Sequence, residues 1–199
     1  EKDRSWIYKL LKMVYSKFQT RGNLESLIVD AAQNEVIDND AKDIIVGAMQ
    51  VSGMHARDII IPRAQMKVIG VDSKLEVILP LIIQSAHSRY PVVGENPDEV
   101  LGILLAKDLL PQILDPESTN FDVRRLMRPT LFVPESKRLN VLLREFRQNR
   151  NHMAIVIDEY GGVAGLITIE DVLEEIVGEI EDETDAEEDP FIRKITTDD

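Results

Sequence analysis

Residues 88–110 read SRYPVVGENPDEVLGILLAKDLL, and residues 151–173 read NHMAIVIDEYGGVAGLITIEDVL. The two stretches belong to a longer correspondence in which 72–113 recurs as 135–176 without a gap, at an offset of 63. Gly102 falls on Gly165 and Asp108 on Asp171. Each copy places its glycine in an apolar strand and its aspartate at the start of the amphipathic segment that follows. A repeat of roughly 60 residues is too long for a solenoid unit and too short for a comfortable independent domain. The two copies are therefore expected to share one core.

Around this repeat, composition removes several function classes. The chain has 199 residues, room for one or two compact domains, and no cysteine, which excludes disulfides, thiolate metal sites and cysteine nucleophiles. The net charge is −13, and residues 179–199 carry ten acids against Arg193 and Lys194. Such a chain lacks the basic footprint that phosphate contacts require, so no nucleic-acid partner is expected. The run 179–189, eight acids in eleven residues, reads as a solvated linker; it lacks the ligand spacing of a calcium loop. The apolar run 77–83 is bounded by Glu76 and Gln84, and no run approaches the roughly 20 residues that cross a bilayer. Glu1 in place of an initiating methionine reads as a piece of a longer protein, which leaves room for membrane spans outside it.

Trp6, Ile7, Leu10, Leu11, Val14, Tyr15 and Phe18 recur at helical spacing with lysines between them. That pattern suits a helix packed on a partner or core, or one lying on a membrane surface. Arg21-Gly22-Asn23 is expected to interrupt it, with short helices at 24–33 and 40–51. In the first repeat a strand is expected at 68–71, then a helix capped by Ser73 and Glu76 and kinked or interrupted by Pro80. Strands at 90–93 and 100–104 and a closing helix at 106–114 follow. The second repeat predicts strands at 131–133, 154–157 and 163–167, with helices at 136–149 and 170–177. Each unit is thus β-α-β-β-α. A small sheet with helices on one face cannot bury its other face alone, so the units are expected to pack face to face with pseudo-twofold symmetry. The fold class is α+β, preceded by a short helical segment.

Thr168 and Asp171 are the sharpest pair for ligand chemistry. They stand three apart at a strand-to-helix junction, where a carboxylate can accept both hydroxyls of a ribose and free N–H groups can meet a phosphate. Thr-x-x-Asp is equally a capping box that merely finishes a helix. The first repeat keeps Asp108 but has Leu105 in place of the threonine. His55, His87 and His152 show no metal-ligand spacing, and there is no phosphate loop, nucleophile elbow or His-Glu-x-x-His motif. No catalytic constellation is visible, and no metal site is expected.

The paired β-α-β-β-α units, the segment G-L-I-T-I-E-D at 165–171 and the strings Ile61-Pro62-Arg63 and Arg128-Pro129-Thr130 resemble a CBS-domain pair, or Bateman module. More narrowly, A-R-D-I-I-I-P-R, S-A-H-S-R-Y-P-V, A-K-D-L-L-P, V-P-E-S-K-R and H-M-A-I-V-I-D-E-Y-G-G-V-A-G-L-I-T-I-E-D resemble the CorC magnesium and cobalt efflux family. The resemblance covers nearly the whole chain. It implies a helical lead-in at 1–53, CBS repeats at 54–118 and 119–180, and an acidic linker at 181–199 towards a C-terminal transporter-associated domain.

The resemblance also implies a ligand. In such modules this motif contacts the ribose and phosphate of an adenine nucleotide, ATP or AMP, with Mg²⁺ as a candidate companion, and the other repeat supplies the adenine walls. One good site would join Thr168 and Asp171 to Ile61, Pro62, Arg63, Met66, Lys67, Arg89, Tyr90 and Pro91. Backbone groups flanking Met66 and Tyr90 would read the adenine edge, and Arg63, Lys67 and Arg89 are candidates for phosphate charge. A degenerate second cleft would comprise Leu105, Asp108, Arg128, Pro129, His152 and Met153. The implied protein is a regulatory homodimer, not an enzyme, in the cytoplasm at the inner face of the plasma membrane, coupled to a membrane transporter or membrane domain. A ligand-free dimerisation scaffold is the alternative.

Overall fold

Thr20 and Asp38 open the first two helices among the described residues. The chain is described here by a computed structural model covering residues 20–96, 99–114 and 121–178. Helix α1 spans Arg21–Gln33 and α2 spans Asn39–Val51. Arg21-Gly22-Asn23, expected as a break, instead forms the first turn of α1. The reason is local: Thr20 Oγ1 accepts the Asn23 N–H at 3.4 Å, as Asp38 Oδ1 accepts the Ala41 N–H at 2.6 Å in α2. The apolar positions of the opening segment and the acidic run 179–189 lie outside the described residues.

The first repeat contains α3 (Ala56–Ile59), β1 (Ile61–Pro62), a 3₁₀ turn (Arg63–Gln65), β2 (Ile69–Gly70), α4 (Leu75–Ser85), β3 (Arg89–Val93) and β4 (Val100–Leu105). A second 3₁₀ turn (Ala106–Leu109) and α5 (Leu110–Leu114) close it. The second repeat contains α6 (Val123–Leu126), β5 (Leu131–Pro134), α7 (Leu139–Asn149), β6 (Met153–Ile157), β7 (Val163–Thr168) and α8 (Ile169–Val177). Three local expectations change. Ser73 does not cap α4: its N–H closes a turn onto the Gly70 carbonyl at 3.0 Å, and Lys74 precedes the helix without a side-chain cap. Helix α4 runs unbroken through Pro80. The single helix expected at 106–114 is a 3₁₀ turn followed by a short α-helix, because Leu105 offers no side-chain bond to start a regular one.

The strands form a four-stranded sheet in the order β1-β7-β6-β5 and a three-stranded sheet in the order β2-β3-β4. β1 lies near the start of the first repeat but pairs antiparallel with β7 of the second, Ile61 opposite Leu166 and Pro62 opposite Gly165. The exchange is reciprocal, since Arg128 bridges Ile103 in β4 through two backbone hydrogen bonds of 2.9 Å. This explains the repeated glycines. A Cβ on Gly102 would stand 2.7 Å from the Arg128 carbonyl oxygen, and one on Gly165 would collide with the carbonyl of Ile61.

Strand alternation sends side chains to two different cores. In β6, Ala154 and Val156 pack under the helices with Leu139, Leu142, Phe146, Ile167 and Val172. Met153 and Ile155 face the other way and meet Val93, Val100, Ile103, Val163 and Leu166 between the two sheets. Tyr90, Val92 and Leu104 complete a third core with Ile78 and Leu109 under the first repeat's helices. The order is helices, sheet, sheet, helices, which is the face-to-face packing the repeat demanded. The lead-in rides on the second repeat. Helix α2 packs along α8, with Gly47 against the Glu175 and Ile176 carbonyls, and the Leu139 N–H donates to the Met54 carbonyl at 3.0 Å.

Candidate functional site

β7 ends at Thr168, whose extended backbone (φ −109°, ψ 165°) turns the chain into α8. Thr168 Oγ1 accepts the Asp171 N–H at 3.1 Å, and Asp171 Oδ2 accepts the Thr168 N–H at 2.7 Å. This reciprocal box satisfies two donors at the helix start. No hydrogen bond from a described residue engages Asp171 Oδ1. In the first repeat the corresponding carboxylate is committed elsewhere, because Asp108 Oδ2 lies 2.7 Å from Arg128 Nη2.

The Thr168 junction opens onto a cleft of about 380 Å³, within the size range of small-molecule sites. Its walls come from three places. The segment after β1 supplies Ile61, Gln65, Met66 and Lys67; the turn between α4 and β3 supplies Ala86, His87, Ser88 and Arg89. The second repeat supplies Met153, Leu166, Thr168, Glu170 and Asp171. The exchanged strand β1 makes this possible, because pairing Ile61 with Leu166 carries the segment that follows β1 to the end of β7.

Of the residues expected at the good site, Ile61, Met66, Lys67, Arg89, Thr168 and Asp171 line the cleft. Pro62, Arg63, Tyr90 and Pro91 do not. Pro62 is exposed beside Gly165, and Arg63 is exposed at the start of the 3₁₀ turn. Tyr90 and Pro91 are buried within β3. Sequence reasoning left out Gln65, Ala86, His87, Ser88, Leu166 and Glu170. The string S-A-H-S-R already contained three of them, but nothing in it says that the turn folds over the next repeat's helix.

Of the second-cleft candidates, Asp108 and Arg128 come together as an ion pair, with Pro129 exposed beside Arg128 and Leu105 packed against the core between the sheets. Met153, grouped with that cleft on sequence, stands opposite Thr168 in the β6–β7 register and lines the first cleft. His152 Nδ1 lies 3.5 Å from Glu170 Oε1, on the same side.

The cleft is electrostatically mixed. Arg89 Nη1 lies 3.6 Å from Glu170 Oε1, so this cation and anion face each other across the repeats. Lys67 is exposed and makes no ion pair with a described residue. Among the described residues no group of three or more His, Asp or Glu is assembled to hold a metal ion. No helix among them is long and apolar enough to cross a membrane.

Comparison with known proteins gives concordant results. A family model described as "CBS domain" matches residues 56–115 and 122–178. The magnesium and cobalt efflux protein CorC of Vibrio cholerae is 46% identical over 193 residues, covering 97% of this chain and 66% of that protein. The chain thus spans less than two thirds of that relative's length. Among solved structures, the CBS domain of a bacterial CNNM/CorC family Mg²⁺ transporter is 37% identical, with a TM-score of 0.74, over 82% of this chain and 99% of that one. A structure of such a domain in complex with ATP is 40% identical, with a TM-score of 0.66, over 70% of this chain and 99% of that one.

Proposed function

Since the chain belongs to the CBS-domain family, in its CorC-type branch, we propose that it is an adenine-nucleotide-binding regulatory module serving divalent-cation efflux. The family is a regulatory one, and the comparisons indicate no catalytic family. One observation carries the ligand reading: Thr168 and Asp171, at the start of α8, share a cleft with Lys67 and Arg89 from the other half of the molecule. Asp171 Oδ1 is available to a ribose hydroxyl, while Met66, Leu166 and Met153 offer apolar surface for a base. Lys67 and Arg89 supply the charge for phosphate, with the helix N-terminus contributing. The related domain solved with ATP supports this choice of ligand.

Mg²⁺ fits this site only as the nucleotide's companion. Glu170 and Asp171 are the carboxylates in the cleft, and Mg²⁺ is commonly held by one or two carboxylates together with substrate phosphates. Regulation follows if the nucleotide binds one arrangement of the two repeats better than another. Helix α8 carries the site at its first turn and the lead-in helix α2 along its length, so it links the cleft to whatever the lead-in contacts. We further propose that two chains pair through repeat helices and work beside a membrane transporter or membrane domain at the cytoplasmic face.

The deciding experiment is calorimetric titration of ATP, ADP and AMP, each with and without Mg²⁺. Saturable binding of one chain equivalent supports the reading, and absence of heat and of thermal stabilisation with all six removes it. One observation favours a second reading, a scaffold without ligand: the capping box already satisfies the Thr168 hydroxyl and one Asp171 oxygen. The same titration separates the two.

A further inference from the structure

Tyr90 is wholly buried, and its ring belongs to the first repeat's core. Its hydroxyl, by contrast, is tied to a turn. Ser85 Oγ donates to the Leu81 carbonyl at 2.6 Å, which commits the serine proton. The Tyr90 hydroxyl then donates to Ser85 Oγ, 2.8 Å away, with the Ile82 carbonyl a longer acceptor at 3.5 Å, and it accepts the His87 backbone N–H at 3.1 Å. These bonds surround Ala86, which ends α4 in the left-handed region at φ 53°, ψ 18°. Residues other than glycine rarely adopt that conformation unless neighbours hold them there. The residues so held, Ala86 to Ser88, wall the cleft that contains Thr168 and Asp171.

The second repeat shows what the turn looks like without this device. Helix α7 also ends on a left-handed residue, Arg150 at φ 54°, ψ 30°. In the sheet register Tyr90 pairs with Leu104 as Ala154 pairs with Ile167, so the residue corresponding to Tyr90 is Ala154, which has no hydroxyl. The anchored turn is thus confined to the repeat whose turn faces the intact Thr168–Asp171 pair. The asymmetry runs in the same direction as that between Thr168 and Leu105.

We propose that Tyr90 is a positioning residue for the nucleotide cleft: its buried hydroxyl holds the 86–88 turn in the shape that receives ligand. The inference rests on the nucleotide reading above. A turn already fixed before binding spares the ligand the entropy of ordering it, so the anchor appears as affinity. Tyr90→Phe keeps the ring and deletes the anchor. A hydrogen bond of this kind corresponds to about three- to tenfold in an equilibrium constant.

The test is titration of ATP and AMP into the parent chain, Tyr90→Phe and a packing control, Val133→Ala. It is paired with amide exchange at His87 and thermal melting. Tyr90→Phe is expected to raise Kd about three- to tenfold and to speed exchange of the His87 amide. Val133→Ala, buried in β5 away from the turn, is expected to lower the melting temperature and leave Kd alone, because binding measured well below melting reads only the native state. A parental Kd in Tyr90→Phe, or a Kd that shifts equally in Val133→Ala, overturns the positioning role while leaving the nucleotide reading intact. Failure of the parent itself to bind overturns the nucleotide reading, and this inference with it.

Discussion

Asp171 accepts the Thr168 N–H at 2.7 Å, whereas its repeat partner Asp108 is paired with Arg128 at the same distance. The two carboxylates occupy equivalent positions in the repeat and have been put to different uses. Thr168 supplies the hydroxyl that closes a capping box, so Asp171 spends one oxygen on the Thr168 N–H and keeps the other. Leu105 supplies nothing, the following turn becomes 3₁₀, and the guanidinium of the exchanged segment takes the carboxylate.

Asp171→Ala is therefore expected to abolish most nucleotide binding, since charge-assisted bonds to a ribose edge are worth roughly 1.5–3 kcal/mol each. Asp108→Ala is expected to leave affinity nearly unchanged. Its fold cost should be about 1 kcal/mol, because Arg128 is more than half exposed although the Asp108 side chain is mostly buried. Calorimetry on both variants checks this, and equal weakening would mean two working sites.

The strand exchange gives a separate expectation. Gly165→Ala drives a methyl into the Ile61 carbonyl and the Ile60 side chain, and overpacking of this kind costs about 1–3 kcal/mol. Because β1 carries Ile61 and leads to Met66 and Lys67, nucleotide affinity should fall along with stability. Gly22→Ala, in the first turn of α1 with open space around it, should instead be neutral or stabilise by up to about 1 kcal/mol. Urea unfolding of the two variants measures the contrast; a Gly165→Ala protein as stable as the parent would contradict the close approach of β1.

Much of this was legible in the chain. The apolar strand segments at 154–157 and 163–167, with their counterparts at 90–93 and 100–104, point to two small sheets that share a core, because neither can bury both faces alone. What the sequence did not reveal is long-range. Ile61-Pro62 is too short to announce a strand, and its partner Leu166 is more than a hundred residues away. Tyr90 enters the expected site through the resemblance, as a strand-entry residue whose flanking backbone would read the base, while strand alternation turns its ring into the core. Ser73 has the residue type of a cap, but it closes the turn after β2, and α4 starts one residue later, after Lys74. Glu170 and Met153 reach the cleft through the β6–β7 register and the first turn of α8, neither of which leaves a motif of its own.

Pairing of two chains should be visible in solution. Val77, Ile83 and Leu114 remain 66%, 78% and 84% exposed on the first repeat's helices, apolar side chains that a second copy packed on these helices would take out of water. Light scattering across a wide concentration range should show a dimer, and Ile83→Glu should weaken it. A monomeric mass throughout would remove the dimer from the proposed mechanism.

Thr168 offers the cleanest separation of ligand from cap. Loss of its cap, as in Thr168→Ala, should cost about 0.5–2 kcal/mol of fold stability with or without nucleotide. Thr168→Ser keeps both the hydroxyl and the cap, so stability and affinity should survive nearly unchanged. Thr168→Asn preserves a capping oxygen, but places a larger, differently polar group beside Glu170 and Asp171 in the cleft. Near-parental melting of the apo protein is therefore expected for Thr168→Asn, with clearly reduced nucleotide-induced stabilisation. Thermal melts of the three variants with and without ATP check this directly. If the nucleotide-induced shift of Thr168→Asn equals the parent's, Thr168 acts only as a helix cap, and the ligand must be held by Asp171 and the opposite wall without it.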